Sequence, residues 1–300
     1  MYHYFCFQKR IVMYNFSIII PHKNIPNLLK RCLDSIPNRE DLQIIVIDDN
    51  SDSKIVNFKE FPGTDDKRVE LIFDKTGRGA GHARNCGLNI AKGRWILFAD
   101  CDDFFSDKFD TFLDKYLSSE SDVVYFPNDT VDCETLKPLN LDLKVQSLLP
   151  LCEKKKNYDP LRYLSHNPWC KMVKHNLIVD NKIRFQEVKA SNDVWYSTMV
   201  GYYAKKIEVS EIHVYVRTVR QGSLQYSLNA DSLLSRIHVG YKVNNFLKSI
   251  GKIEYYNETW GYFCNLRKIS FLLFFKNMPS YIYNTPWIAL KKNIIDFLRK

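Results

Sequence analysis

Apolar residues arrive along this chain in short β-branched runs, and the stretches between them repeat at helical spacing. "FSIIIP" at 16 to 21 is such a run closed by proline, as a buried parallel strand would be. In "NLLKRCLDSI" the apolar Leu28, Leu29, Cys32, Leu33 and Ile36 share one helical face, and the pattern stops before Pro37. "LQIIVID" at 42 to 48 and "VELIFD" at 69 to 74 read as a second and third strand. "RWILFAD" at 94 to 100 reads as a fourth, after a helix through "ARNCGLNIAKG". Strand, helix, strand, strand, helix, strand predicts an α/β fold, a Rossmann-like, mostly parallel central sheet with flanking helices. The sheet pattern fades after about residue 127. A helix at 192 to 204 and a strand pair, "KKIEVS" and "IHVYVRT" within 205 to 218, follow it.

In open α/β sheets ligands bind beyond the carboxyl ends of the strands, where strand order reverses. The polar clusters fall there: "PHKN" after the first run, "DDNSD" after the second, "DCDD" after the fourth. In "ILFADCDDFF" an apolar run ends in Asp100, Asp102 and Asp103. Crowded carboxylates at a buried strand end repel one another, so a cation or a positively charged partner is expected there. Two motifs fail their tests. "GRGAGHARNCG" needs a glycine at His82 to be a dinucleotide fingerprint. "DDNSDS" needs a glycine at Ser53 and a glutamate at Lys59 to be a calcium loop.

The chain has 300 residues, of which 45% are hydrophobic and 26% charged, an ordinary globular composition. No uninterrupted apolar stretch approaches the roughly 20 residues of a membrane span. The first sixteen residues have their basic positions after the apolar part and no small-residue cleavage site, so they do not read as a signal peptide, and Met13 is a second candidate start. Eight cysteines without a C-x-x-C pair speak against a zinc site or a disulfide scaffold, and point to a reduced, cytoplasmic protein. Net charge is +9, and from Arg236 to Lys300 eleven Lys/Arg stand against three acids, a net +8. That balance suggests an anionic surface, membrane or nucleic acid, or else a solvated positive face. No nucleic-acid recognition motif accompanies it.

Taken together, "SIIIPHKN", "IIVIDDNSD" and "GAGHARNCGLNIAKGRWILFADCDD" resemble the family 2 glycosyltransferases, inverting enzymes of GT-A fold. "NPWCKMVKHNLI", "IRFQEVKASNDVWYS" and "YVRTVRQGS" resemble the acceptor half of the branch that builds bacterial surface polysaccharides. The resemblance covers about residues 16 to 225. It implies that "DCDD" holds Mn²⁺ or Mg²⁺ against a nucleotide diphosphate, with Asp102 facing ribose and metal, Asp103 ligating the metal and Asp100 in support. It implies a nucleotide contact at Pro21, a bond from uracil N3 to Asp49 with Asp48 beside it, and Arg84 near the diphosphate. Asp193 becomes the general base, preceded by Asn192 where the family has glutamate. Trp169, Lys171, Arg217 and Arg220 fall where the family lines the donor and acceptor pockets. Each has a plainer reading: a turn aspartate that caps the next helix for Asp48 and Asp49, a surface arginine for Arg84, a helix N-terminal acid for Asp193, and core for Trp169.

The sequence thus predicts a metal-dependent inverting transferase that moves a sugar from a UDP-sugar donor to a hydroxyl of a glycan or lipid-linked acceptor. A catalytically silent nucleotide-sugar binder and a basic nucleic-acid binder are the alternatives. The expected division is a catalytic domain at 14–235, with a nucleotide half to about 127 and an acceptor half from 128. A basic, aromatic-rich, mainly helical segment at 236–300 follows. "TPWIALKKNIIDFLRK" opens with Thr285 and Pro286 as a helix start and places apolar residues on one side, so 285–300 is expected either to lie on an anionic inner membrane surface or to pack on the catalytic domain.

Overall fold

The first three apolar runs form parallel neighbours: β1 (Phe16–His22), β2 (Leu42–Asp49) beside it, and β3 (Val69–Asp74) beyond. Every residue of β1 and β2 is buried, because helices cover both faces of the sheet and leave no solvent side on which polar residues could alternate. Between β1 and β2 runs α1 (Pro26–Asp34), which buries Leu29, Cys32 and Leu33. From β3 the chain returns through α2 (Ala80–Ile90) to lay β4 (Trp95–Phe98) on the other side of β1. Strand order therefore reverses between β1 and β4, and the crevice at their carboxyl ends is the switch point. A computed structural model gives these coordinates and describes residues 13–141, 144–220, 229–287 and 289–291.

Beyond β4 come β5 (Phe104–Phe105), α3 (Phe109–Tyr116), β6 (Val123–Tyr125), β7 (Asn128–Asp132), α4 (Lys144–Lys155) and α5 (Asp159–Leu164). The chain then re-enters the main sheet as β8 (Lys171–Lys174), antiparallel to both β4 and β6. After α6 (His175–Asp180) and α7 (Asn192–Tyr203), β9 (Ile207–Val209) completes a seven-stranded sheet of order β3-β2-β1-β4-β8-β6-β9. A second, three-stranded sheet has β10 (Tyr215–Val219) between β5 and β7. The two strands expected as a pair within 205–218 thus part company, β9 to the large sheet and β10 to the small one. The fading pattern past residue 127 hides β8, a run of four residues with a lysine at each end.

Three helices follow: α8 (Ala230–Ser249), α9 (Trp260–Ile269) and α10 (Phe271–Asn284). One face of α8 packs Val239, Val243 and Leu247 with Val194 of α7 and Tyr163 of α5; another packs Leu233, Ile237 and Tyr241 against Phe263, Phe274 and Tyr281. The division expected at 235/236 falls inside α8, which packs on both α5 and α7 and the C-terminal helices. Thr285 ends α10, its hydroxyl donating to the Tyr281 carbonyl at 2.6 Å. The Leu290 N–H reaches the Pro286 carbonyl at 2.9 Å, so a helical turn does start at Pro286. Most of the amphipathic stretch expected at 285–300, like the N-terminal segment before Met13, lies outside the described residues.

Gly87 shows how closely α2 approaches the sheet, since a methyl group there would run into the fully buried Ile19 side chain. Gly87→Ala gains about 1 kcal/mol of helix propensity, while forcing a methyl into a packed core costs about 1–3 kcal/mol. The core is expected to win: a urea midpoint lower than that of the parent checks it.

Candidate functional site

At the switch point β4 delivers Asp100, Asp102 and Asp103, and the three carboxylates have different surroundings. Asp103 is 3% exposed; its Oδ2 accepts the Tyr215 hydroxyl at 2.8 Å and its Oδ1 the Thr218 N–H at 2.6 Å. Burial, then the charges of Asp100 and Asp102, push its carboxyl well above the ordinary range. The expected metal ligand Asp103 therefore turns into the protein, where both oxygens tie β10 to the end of β4. Asp100 and Asp102 open outward, their side chains 34% and 24% exposed. Arg84 Nη2 meets Asp100 Oδ1 at 2.6 Å, and Arg220 Nε meets Asp102 Oδ2 at 3.3 Å. Burial and the Asp100 charge raise the Asp102 carboxyl against the pull of Arg220. The Asp102 carbonyl accepts from Arg31 and from Thr218 Oγ1, so the turn is braced from both sides. Two repelling carboxylates are a donor set that fits a hard divalent cation. Among the described residues no group of three or more His, Cys, Asp or Glu side chains could hold one unaided.

The second strand end separates its two aspartates as well. Asp48 is buried; its Oδ1 accepts from Ser51 Oγ at 2.5 Å and lies 2.8 Å from His22 Nδ1, and its Oδ2 accepts the Ser51 N–H at 3.0 Å. The Ile25 N–H donates to His22 Nε2 at 3.2 Å, which leaves Nδ1 as the protonated nitrogen facing Asp48. Burial works against the Asp48 charge, yet the His22 and Ser51 bonds win and hold its carboxyl below the usual value. Asp48 thus binds strand to loop through His22 and Ser51, beside Asp49 at the end of β2. Asp49 takes the Gly79 N–H on both oxygens, at 3.0 and 3.1 Å, with Lys23 Nζ at 3.4 Å. Pro21 sits buried in β1 opposite Ile47.

The glycines of "GAGHARNCG" are explained mainly by packing. A Cβ on Gly81 would strike the Gln186 carbonyl, as one on Gly87 would strike Ile19. Only the Gly79 N–H, at φ 91°, is turned to the crevice through Asp49.

Arg84 joins the two halves of the chain. Its Nη1 donates to Asn192 Oδ1 at 2.8 Å while Nη2 holds Asp100. Asp193, in the first turn of α7, receives no side-chain hydrogen bond among the described residues. Burial raises its carboxyl, the Arg84 charge opposes that, and Asp100 and Lys171 act in turn upward and downward. Arg84, Asp100, Asn192 and Asp193 thus share one electrostatic neighbourhood. Lys171 and Trp169 stand behind it rather than in it. Lys171 is fully buried on β8, its Nζ donating to the Ser165 carbonyl at 2.6 Å, and burial pulls its pKa down to about 7. Trp169 is 7% exposed and stacks on Tyr215 at 4.9 Å and 13°. Both side chains thus occupy core positions. Arg217 lies half-buried on β10, and Arg220 just beyond it against Asp102.

His22, Arg31, Tyr215 and Thr218 shape the site without having been predicted. Arg31 lies on the same helix as the apolar face of α1 and reads as solvent-facing; Tyr215 and Thr218 read as ordinary strand residues. A tyrosine hydroxyl inside an apolar strand is the signal that a buried partner awaits it.

Comparison with known proteins follows the same outline. A family model for Glycosyl transferase family 2 matches residues 17–177. The poly(ribitol-phosphate) beta-glucosyltransferase of Bacillus spizizenii is 28% identical over 211 residues, 68% of this chain and 32% of that protein. Glycosyltransferase GlyA of Streptococcus pneumoniae serotype 4 is 26% identical over 219 residues, 69% of this chain and 31% of that protein. The chain spans about a third of the length of these two relatives. Residues 1–349 of S. aureus TarS, crystallised with UDP-GlcNAc, share the fold with a TM-score of 0.58 at 19% identity, over 77% of this chain and 67% of that one.

Removing the hydroxyl that satisfies Asp103 tests the anchor. Tyr215→Phe keeps the ring packing but strips a buried carboxylate of one donor, and a buried group left unsatisfied costs about 1–3 kcal/mol. A loss of that size in chemical denaturation is expected; unchanged stability would mean that Tyr215 is packing alone.

Proposed function

The chain belongs to Glycosyl transferase family 2, and on that premise we propose that it is a metal-dependent inverting glycosyltransferase. It takes a sugar from a UDP-sugar and passes it to a hydroxyl of a surface-polysaccharide acceptor, a glycan or a polyol-phosphate chain of the kind named for the Bacillus relative. The observation that carries the reading is Arg84, which draws Asp100, just past the end of β4, and Asn192, at the start of α7, to one guanidinium. The TarS structure with UDP-GlcNAc supports the choice of donor.

In this reading Asp49 accepts a hydrogen bond from the uracil N3–H at the edge where Gly79 and Lys23 already approach it. Asp100 and Asp102 are the carboxylates that would hold Mn²⁺ or Mg²⁺. The bound cation supplies positive charge against the departing diphosphate. Arg84 and Arg220, each paired with one of those carboxylates, add fixed positive charge at the same edge. Asp193 takes the acceptor hydroxyl proton. Its carboxyl, raised by burial and unclaimed by side-chain donors, is a stronger base than a solvated aspartate and must still be ionised to act. Asn192 accepts from Arg84 without adding a negative charge, which leaves Asp193 as the carboxylate of that pair.

An anionic membrane surface is proposed as a partner. No described helix is long and apolar enough to cross a membrane. Yet α10 exposes Phe271, Leu272, Phe275, Ile282 and Tyr283, and Trp287 follows at 73% exposure. Between Glu258 and Lys291 there is no acidic residue, while Arg267, Lys268, Lys276 and Lys291 are exposed. This is the composition of a helix that lies in a lipid interface, and it extends the expectation for 285–300 back along the chain.

Two experiments test these readings. UDP should raise the melting temperature of the parent only with Mn²⁺ or Mg²⁺, Asp102→Ala should lose that response, and Asp193→Asn should keep it. Transfer by Asp193→Asn should fall by about 10²- to 10⁴-fold, and the parent's rate should drop on acidification above the usual carboxylate range, as the raised Asp193 takes up its proton. Parent-like transfer by Asp193→Asn removes the base. Separately, the protein should sediment with phosphatidylglycerol vesicles at low salt. Phe271→Glu with Phe275→Glu should release it with the UDP response intact, each nearby Lys or Arg being worth about 1 kcal/mol at such a surface; sedimentation unchanged by these charges would place the membrane contact elsewhere.

A further inference from the structure

Beside the start of α7 lies a cavity of about 400 Å³ that the proposed reaction does not use. Its floor is apolar, with Val188 and Val239 packed against Val194, the residue after Asp193. Its rim carries Arg78, Lys189, His238 and Lys242. The wall between cavity and base is the loop 186–191, and it is fastened at both ends. The Gln186 N–H donates to the Asn192 carbonyl at 3.1 Å. At the other end Ser235 Oγ accepts the Ala190 N–H at 3.2 Å and donates to the Ala190 carbonyl at 2.8 Å. The cavity therefore keeps a fixed position relative to Asp193, and α8 supplies its far side.

The charges on the rim are not balanced locally. Lys189 and Lys242 are exposed and meet no carboxylate among the described residues; the Lys242 ammonium lies 4.0 Å over the Trp195 ring. Glu187, which also lines the cavity, is engaged by His82 at 3.1 Å and by Arg78 at 3.2 Å, so it does not neutralise Lys189 or Lys242. Asp231 stands in the first turn of α8, where the helix dipole already stabilises it. A pocket of this size with an apolar floor and unspent cations at its mouth suits a small ligand group that carries negative charge.

We propose that this cavity is an acceptor subsite that binds an anionic group, phosphate or carboxylate, carried on the acceptor chain next to the unit whose hydroxyl reacts. The inference rests on the transferase reading above, because it is the position beside Asp193 that makes the occupant an acceptor. The apolar floor takes the carbon skeleton of the neighbouring unit, and Lys189, Lys242 and His238 meet its charge. The chain would then be held in register, with one hydroxyl presented to Asp193.

Calorimetric titration of the full chain tests this with three probes of equal length: a glycerol-phosphate oligomer, a uronic-acid oligosaccharide and a neutral oligosaccharide. At least one anionic probe should bind, weaken with added salt, and bind about tenfold more weakly to Lys189→Glu and to Lys242→Gln. The neutral probe should bind far more weakly, and comparison of the two anionic arms identifies the charged group. UDP with Mn²⁺ should stabilise parent and variants equally, which shows that the variants are folded. Equal binding of the neutral probe, equal binding by the variants, or no binding of any probe while UDP still binds would overturn the subsite alone. If UDP fails to stabilise the parent, the transferase reading falls and the acceptor role of the cavity falls with it.

Discussion

Burying an ionised carboxylate costs several kcal/mol unless donors meet it, and in this protein that demand sets the geometry of everything around the switch point. Asp103 sits inside the molecule because Tyr215 and the Thr218 backbone come to it from another sheet. Their bonds fix β10 against the end of β4. The same Tyr215 hydroxyl accepts the Asp100 N–H at 2.9 Å, and its ring stacks on Trp169. One side chain thus sets the backbone at Asp100, pins Asp103 and orders the aromatic layer beneath. With Asp103 turned inward, the backbone has only one way to face, and it presents Asp100 and Asp102 to the crevice.

Across that crevice the halves of the chain meet through a guanidinium. Arg84 has two forks and gives one to a carboxylate and the other to an amide. A glutamate at 192 would compete with Asp100 for the same positive charge and would add a second negative charge next to Asp193. The amide accepts the bond and leaves the electrostatics to Asp100 and Asp193. Asn192 thus leaves Asp100 as the carboxylate that Arg84 holds among the described residues.

The large sheet was legible because burial on both faces writes continuous apolar runs, and β1 to β4 carry them. β8 was not, since a strand of four residues that begins and ends in lysine has no periodicity to detect; its lysines are tolerable only because Lys171 finds the Ser165 carbonyl. The residue types were legible, Asp100 and Asp102 after β4, Arg84 within α2 and Asn192 at the start of α7, and Arg84 is the side chain that brings Asp100 and Asn192 together. What the sequence could not tell apart was the direction in which each side chain points. Asp48 and Asp49, or Asp102 and Asp103, are adjacent and identical, and the strand alternation that sends one inward and one outward depends on partners, His22 and Tyr215, that are distant in sequence. Trp169 and Lys171 are buried, on the turn Pro168–Cys170 and on β8, elements that the sequence pattern did not foreshadow.

That unforeseen strand also constrains how the molecule comes into being. β4 has β1 on one side, and on the other it waits for Lys171–Lys174, which is made only after β5, β6, β7 and the helices α3, α4 and α5. During synthesis the open edge of β4 has to be kept from pairing with other chains, and long-range closure of this kind is slow. The first four strands consequently make no finished sheet by themselves: β4 is completed by β8, and the two parts of the chain are bound into a single folding event rather than assembled as exchangeable parts.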